Sequence, residues 1–150
     1  MRAISCVAGV CLVLAGCATS GPLGKEVLLT DIAPKKSRLV VYRVSALGFA
    51  VQPDYMIDGK AVAASQPEGF VVCQLEPGKH QVSVGNFELN VNFGGGSDQA
   101  GVVLRPGQTT YLKAEPQLGL TVGVITLSEV TASQGQSDTA TLHKLDGACT

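Results

Sequence analysis

Five cysteines, two histidines and a scatter of carboxylates and amides are the residues of this 150-residue chain that could do chemistry. A cysteine works as a nucleophile or metal ligand only as its thiolate, which needs a nearby cation or metal. The chain has neither a C-x-x-C nor an H-x-x-x-H pattern around His80 and His143, so neither a metal site nor a cofactor is expected. Cys73 and His80 are the one nucleophile–base pairing to weigh. Read as the two arms of one hairpin they could approach, but Cys73 shares parity with Val71 and Leu75 and has no activating charge beside it. Gly94-Gly95-Gly96-Ser97 lacks the lysine and the helix of a phosphate loop. Asp54 and Asp58 bracket a short strand, and glycosidic chemistry would need them in an enclosed cleft with one pKa raised. Asp58-Gly59 is better explained as a turn pair. Glu88, Asn90 and Asn92 form one polar strand face that could hold a sugar or another polar ligand. No catalytic set emerges, so the chain is not expected to be an enzyme.

The elements that must position these groups are almost all strands. Arg38–Val44 is β-branched and aromatic, and Phe70–Leu75 is similar. Tyr55–Ala64 reads as a hairpin about Asp58-Gly59. Glu76-Pro77-Gly78-Lys79 and Arg105-Pro106-Gly107-Gln108 are turns, with proline presetting φ and glycine free to take positive φ. They lead into His80–Val84 and Thr109–Ala114. Phe87–Phe93 alternates apolar and polar residues cleanly, as a strand with one wet face does, and Gly94–Gly101 follows as a loop. Gly119–Val130 changes phase, which a bulge beside Gly123 or Val124 would reconcile. Only Asp138–Leu145, capped by Ser137, offers a weak helix. About seven to nine short strands without helical periods predict an all-β fold, an antiparallel β-sandwich or partly open barrel. A βαβ nucleotide-binding sheet is excluded.

The N-terminus carries the most specific signal. Arg2 precedes an apolar run, Ala3–Leu14, that is too short to span a bilayer and suits the core of a signal peptide. Leu14-Ala15-Gly16-Cys17 at its end resembles a bacterial lipobox. That resemblance implies cleavage after Gly16 and acylation of Cys17, with the membrane as partner through the lipid. Ala18, in place of an aspartate, implies the outer membrane, facing the periplasm. Removing sixteen of 150 residues leaves 134, and removing Arg2 from eleven basic residues leaves ten against twelve acidic. No basic stripe for nucleic acid exists. Cys6 and Cys11 depart with the signal, so Cys73 and Cys149 remain as thiols in an oxidising compartment. They can form a disulfide or stay free, and spacing does not choose.

Several motifs together resemble small bacterial lipoproteins carrying an uncharacterised, PEGA-like β-sandwich domain. They are Gly21-Pro22, Pro34-Lys35-Lys36, Arg38–Arg43, Tyr55-Met56-Ile57-Asp58-Gly59-Lys60, Phe70-Val71-Val72, Leu75–His80 and Leu104–Leu112. The Gly94-Gly95-Gly96 loop and the region past Val130 depart from that pattern. The resemblance implies a fold and a location, and no activity. The expected organisation is a signal peptide at 1–16, a tether at 17–36, the β-domain at 37–130 and a polar tail at 131–150. The expected role is a non-enzymatic accessory or interaction module with an envelope protein as partner, or else a ligand- or glycan-binding protein using Asn90 and Asn92.

Overall fold

A computed structural model describes residues 20–47, 49, 52–85, 99–117, 124–147 and 149. Its strands are β1 (Ser37–Arg43), β2 (Asp54–Ile57), β3 (Lys60–Ala64), β4 (Gly69–Leu75), β5 (Gly78–Val84), β6 (Gln99–Leu104), β7 (Thr109–Gln117), β8 (Val124–Val130) and β9 (His143–Lys144). Two helices accompany them, α1 (Gly24–Val27) and α2 (Ala132–Thr139). One sheet runs β8-β7-β1-β4-β9 and the other β3-β2-β5-β6. The fold is an all-β sandwich of two separate sheets, not a barrel. Most pairs are antiparallel, but β1–β7 and β4–β9 are parallel.

The strand periods explain the layers. Side chains alternate across a strand, so the inner faces pool Leu39, Val41, Val71, Cys73, Leu112 and Ala114 with Tyr55, Ile57, Val62, Val82, Val84 and Val102. The larger sheet has a second apolar face. Val40, Tyr42, Phe70 and Tyr111 point outward there and are covered by Leu142, Val27 and Leu28. Every residue of β1 is therefore buried, which accounts for its unbroken apolar run Leu39-Val40-Val41-Tyr42. The molecule has three layers: the small sheet, the large sheet, and a cap of helices and terminal segments.

That third layer corrects three readings of the sequence. The stretch expected as a tether is packed from Gly21 onward. Lys144 N–H donates to the Pro22 carbonyl at 2.8 Å, Gly24 N–H to Leu142 at 3.0 Å, and Leu23 bridges His143. Its apolar patch, Val27-Leu28, covers the outer face of the large sheet. The region expected as a polar tail is packed too, since Leu142 and Leu145 are 4% and 3% exposed. Leu142 enters the outer cluster and Leu145 the inner one. The helix spans Ala132–Thr139, not Asp138–Leu145, and its cap is Thr131, whose Oγ1 accepts from Gln134 N–H at 3.2 Å. Gly135 decides the helix position. A Cβ there would lie 2.2 Å from Tyr111 Cγ, so bare backbone packs on the ring.

The turns divide into two kinds. Asp58 (φ 50°) and Gly59 (φ 80°) form a true hairpin turn joining β2 to β3 in one sheet. Glu76-Pro77 and Arg105–Gln108 instead carry the chain from one sheet to the other. Cys73 and His80 are consequently not arms of one hairpin, and their pairing as nucleophile and base is withdrawn.

Candidate functional site

The sandwich has two dissimilar ends. At one, the chain makes tight connections. Lys36 Nζ donates to Glu76 Oε1 at 2.5 Å, Gly107 N–H to the Lys36 carbonyl at 2.8 Å, and Ser37 Oγ to the Arg105 carbonyl at 2.8 Å. His80 stands between the Asp58 turn and the Glu76 crossing. Its Nδ1 lies 2.7 Å from Asp58 Oδ2 and its Nε2 2.8 Å from the Glu76 carbonyl. Both ring nitrogens face acceptors, so the imidazolium satisfies both. Burial is the largest single influence and works against the charge, but the Asp58 hydrogen bond, the Glu76 carbonyl and the Asp58 charge together outweigh it and raise the His80 pKa above its usual 6.5. Asp58 is likewise desolvated, yet Gln81 N–H at 2.9 Å and His80 together hold its carboxyl below its ordinary value. His80 is thus a structural clamp between turns. Asp54 merely opens β2.

At the same end Cys73 and Cys149 are joined as a disulfide, with Cα atoms 5.5 Å apart. This bond ties the C-terminus over the inner core. Gly147 fits so closely there that a Cβ would lie 2.4 Å from the Val62 carbonyl oxygen.

The opposite end is where β1, β5 and β7 stop and β2, β6 and β8 begin. Its organiser is Arg43, 1% exposed at the end of the central strand. The guanidinium donates to the carbonyls of Ser45 at 3.1 Å and Ser65 at 2.9 Å, and to that of Leu47. Burial lowers its pKa, partly offset by Tyr55 nearby. The Tyr55 and Ser65 hydroxyls are buried and have no hydrogen-bond partner among the described residues, and burial pushes the Tyr55 phenol far up. The sequence shows Arg43 only as a charge ending an apolar run; a charge in a strand buried on both faces is the signal that would have singled it out.

Above the Arg43 clamp, Val44, Leu47 and Phe49 are 40%, 45% and 71% exposed. A separate open groove of about 460 Å³ lies between β6 and the β7–β8 margin, lined by Arg105, Gln108, Thr109, Thr110 and Glu129 among others. Among the described residues no three metal-ligating groups cluster, and no helix is long and apolar enough to cross a membrane. Cys17, Glu88, Asn90 and Asn92, with the whole Phe87–Phe93 strand and the Gly94-Gly95-Gly96 loop, lie outside the described residues.

No family model matches the chain. It is similar to an uncharacterised protein of Haemophilus influenzae, 27% identical over 146 residues, covering 91% of this chain and 80% of that protein.

Proposed function

We propose that this chain is a lipid-anchored envelope lipoprotein, acylated at Cys17, whose sandwich serves as a non-enzymatic interaction module. The observation that carries the reading is Leu14-Ala15-Gly16-Cys17 at the end of a short apolar run. The Cys73–Cys149 disulfide supports it, because such bonds persist in oxidising compartments outside the cytosol. Two or three acyl chains at about 0.8 kcal/mol per buried methylene would make attachment effectively permanent. Ala18 favours the outer membrane facing the periplasm, and the resemblance to PEGA-like lipoproteins points to the same envelope setting. Among the described residues β3, β6 and β8 are edge strands, and their backbone groups are available for strand addition by an envelope partner. The test is globomycin treatment with palmitate labelling. Accumulation of an uncut precursor, and label lost in Cys17→Ala, are expected; an unlabelled protein insensitive to globomycin rejects the reading.

A small polar ligand is the second reading, favoured by the groove beside Arg105 and Glu129. The sequence offers the Glu88, Asn90, Asn92 face as an alternative place for it. Glycan binding lost in Asn90→Ala/Asn92→Ala supports that face. Loss in Arg105→Ala/Glu129→Ala supports the groove.

A further inference from the structure

The tightly connected end of the sandwich is also where positive charge collects. Lys35 and Lys36 precede β1, Lys60 follows the Asp58-Gly59 turn, Lys79 follows Pro77-Gly78, and Arg105 follows β6. These are five of the ten basic residues that come after Arg2. Hydrogen bonds join their connections into one surface. Gly107 N–H donates to the Lys36 carbonyl, Lys36 Nζ to Glu76, and His80 links the Glu76 crossing to Asp58, which feels the Lys60 charge. Lys35, Lys60, Lys79 and Arg105 are exposed. Against the five cations stand Asp58, Glu76 and, on the approach to β1, Asp31, so this end carries a positive surplus. The loop end differs. Its Arg43 is buried, and Asp54 and Glu68 stand where β2 and β4 begin.

The chain before the fold leads to the basic end. Leu23 bridges His143 antiparallel, and Lys144 N–H donates to the Pro22 carbonyl. β9 runs parallel to β4, with His143 level with Gly69 and Lys144 with Phe70. Read backward from Leu23, the chain therefore runs toward the Leu75 end of β4, where β1 starts at Ser37. Gly21 comes level with Leu145, one row beyond Phe70, which leaves four rows, about 13 Å, to Leu75. Cys17 stands four residues before Gly21, so at most about 14 Å of extended chain separates them. A lipid on Cys17 can reach the level of the basic end, and the chain is too short to hold that end well clear of the headgroups.

We infer that the tightly connected end is the membrane-facing surface of this protein, its exposed lysines and Arg105 lying against anionic phospholipid headgroups of the bilayer that holds the Cys17 lipid. This rests on the lipoprotein reading above. The occupant is an anionic bilayer surface, chosen by the direction and length of the preceding chain and by charge complementarity. The loop end is then turned away from the bilayer.

The chain contains no tryptophan, so one introduced residue is a clean reporter. Pro106→Trp and Gln108→Trp place it at two exposed positions of the β6–β7 turn, and Leu47→Trp places it at the loop end. Each full-length protein is purified after processing, checked for acylation by mass, and reconstituted into phosphatidylethanolamine–phosphatidylglycerol vesicles. Blue-shifted emission that brominated lipid quenches at positions 106 and 108, and not at 47, is expected. That quenching should fall when phosphatidylcholine replaces phosphatidylglycerol, and also in Lys35→Gln/Lys60→Gln/Lys79→Gln. Acylated, vesicle-bound proteins quenched at 47 instead, or at neither end, overturn the membrane-facing surface and leave the lipoprotein reading intact. Quenching at 106 and 108 that ignores both lipid charge and the lysine changes overturns the pairing with anionic headgroups. Protein with no lipid mass that fails to float with vesicles overturns both readings.

Discussion

The two ends of the sandwich solve the same problem in opposite ways. Both must satisfy the backbone groups that strands leave unpaired where they stop. The tight end does so with short crossings locked by backbone hydrogen bonds, an imidazole between two turns, and a disulfide. The loop end does so with one buried guanidinium holding three carbonyls, and it leaves two buried hydroxyls without a partner among the described residues and apolar side chains in water. Stability is concentrated at one end and display at the other, and connecting loops on a rigid scaffold are where interaction surfaces usually sit.

The largest expected effect tests the tight end. Cys149→Ser should destabilise the domain by about 4 kcal/mol, since the bond closes a loop spanning 76 positions. Urea unfolding of oxidised protein against the variant measures it, and an unchanged midpoint would mean that the two sulfurs are not bonded in the native protein. Next, Arg43→Met should cost about 3 kcal/mol or more, because the carbonyls of Ser45, Leu47 and Ser65 lose their donor. A loss under about 0.5 kcal/mol, the scale of an ordinary surface change, would show that the guanidinium does not hold that end together.

A smaller effect concerns pH. The His80 pKa is raised on folding, so its contribution is fully present below 6.5 and fades as pH rises through the folded value. The urea midpoint should therefore fall on raising pH from slightly acid to alkaline, and His80→Gln should flatten that slope. An identical slope in the variant would mean that His80 is not the responsible group. Asp58 acts in the opposite sense, its contribution being lost as pH falls through its depressed value. The smallest effect on stability is at the display itself. Phe49→Ser should change it by no more than about 0.5 kcal/mol, as for an ordinary surface site. A large loss would show that Phe49 is a packing residue and would blur the contrast between the ends.

Much of the fold was legible, and the failures share a cause. Strand identity follows from side-chain alternation, which is local, so β1, the β2–β3 hairpin, β4 and β5 lie close to where their sequences put them. Whether a turn stays in one sheet is not local. Pro77-Gly78 and Pro106-Gly107 carry ordinary turn signals, yet both cross between sheets, because β4 and β7 pair with β1 while β5 and β6 pair with each other. α2 was illegible for a different reason. It meets the large sheet through the bare backbone of Gly135 on Tyr111 and through Asp138, which accepts from the Tyr42 hydroxyl, so no apolar period marks it. Cys17 stood out from its short motif alone. The role of Arg43 depends on the carbonyls of Ser45 and Leu47 just after it and of Ser65 beyond β3, and no spacing in the sequence reveals them.

Residues 142–149 have a consequence for the order of events. They supply Leu142 to the outer core, Leu145 to the inner one, and Cys149 to the covalent link with β4. Any chain leaves the ribosome N-terminus first, so these pieces, which seal both cores, arrive after β1–β8. Until then the central strand can find neighbours but its faces stay incompletely covered, and pairing across such separations is intrinsically slow. A chain truncated before residue 149 would lack its covalent closure altogether.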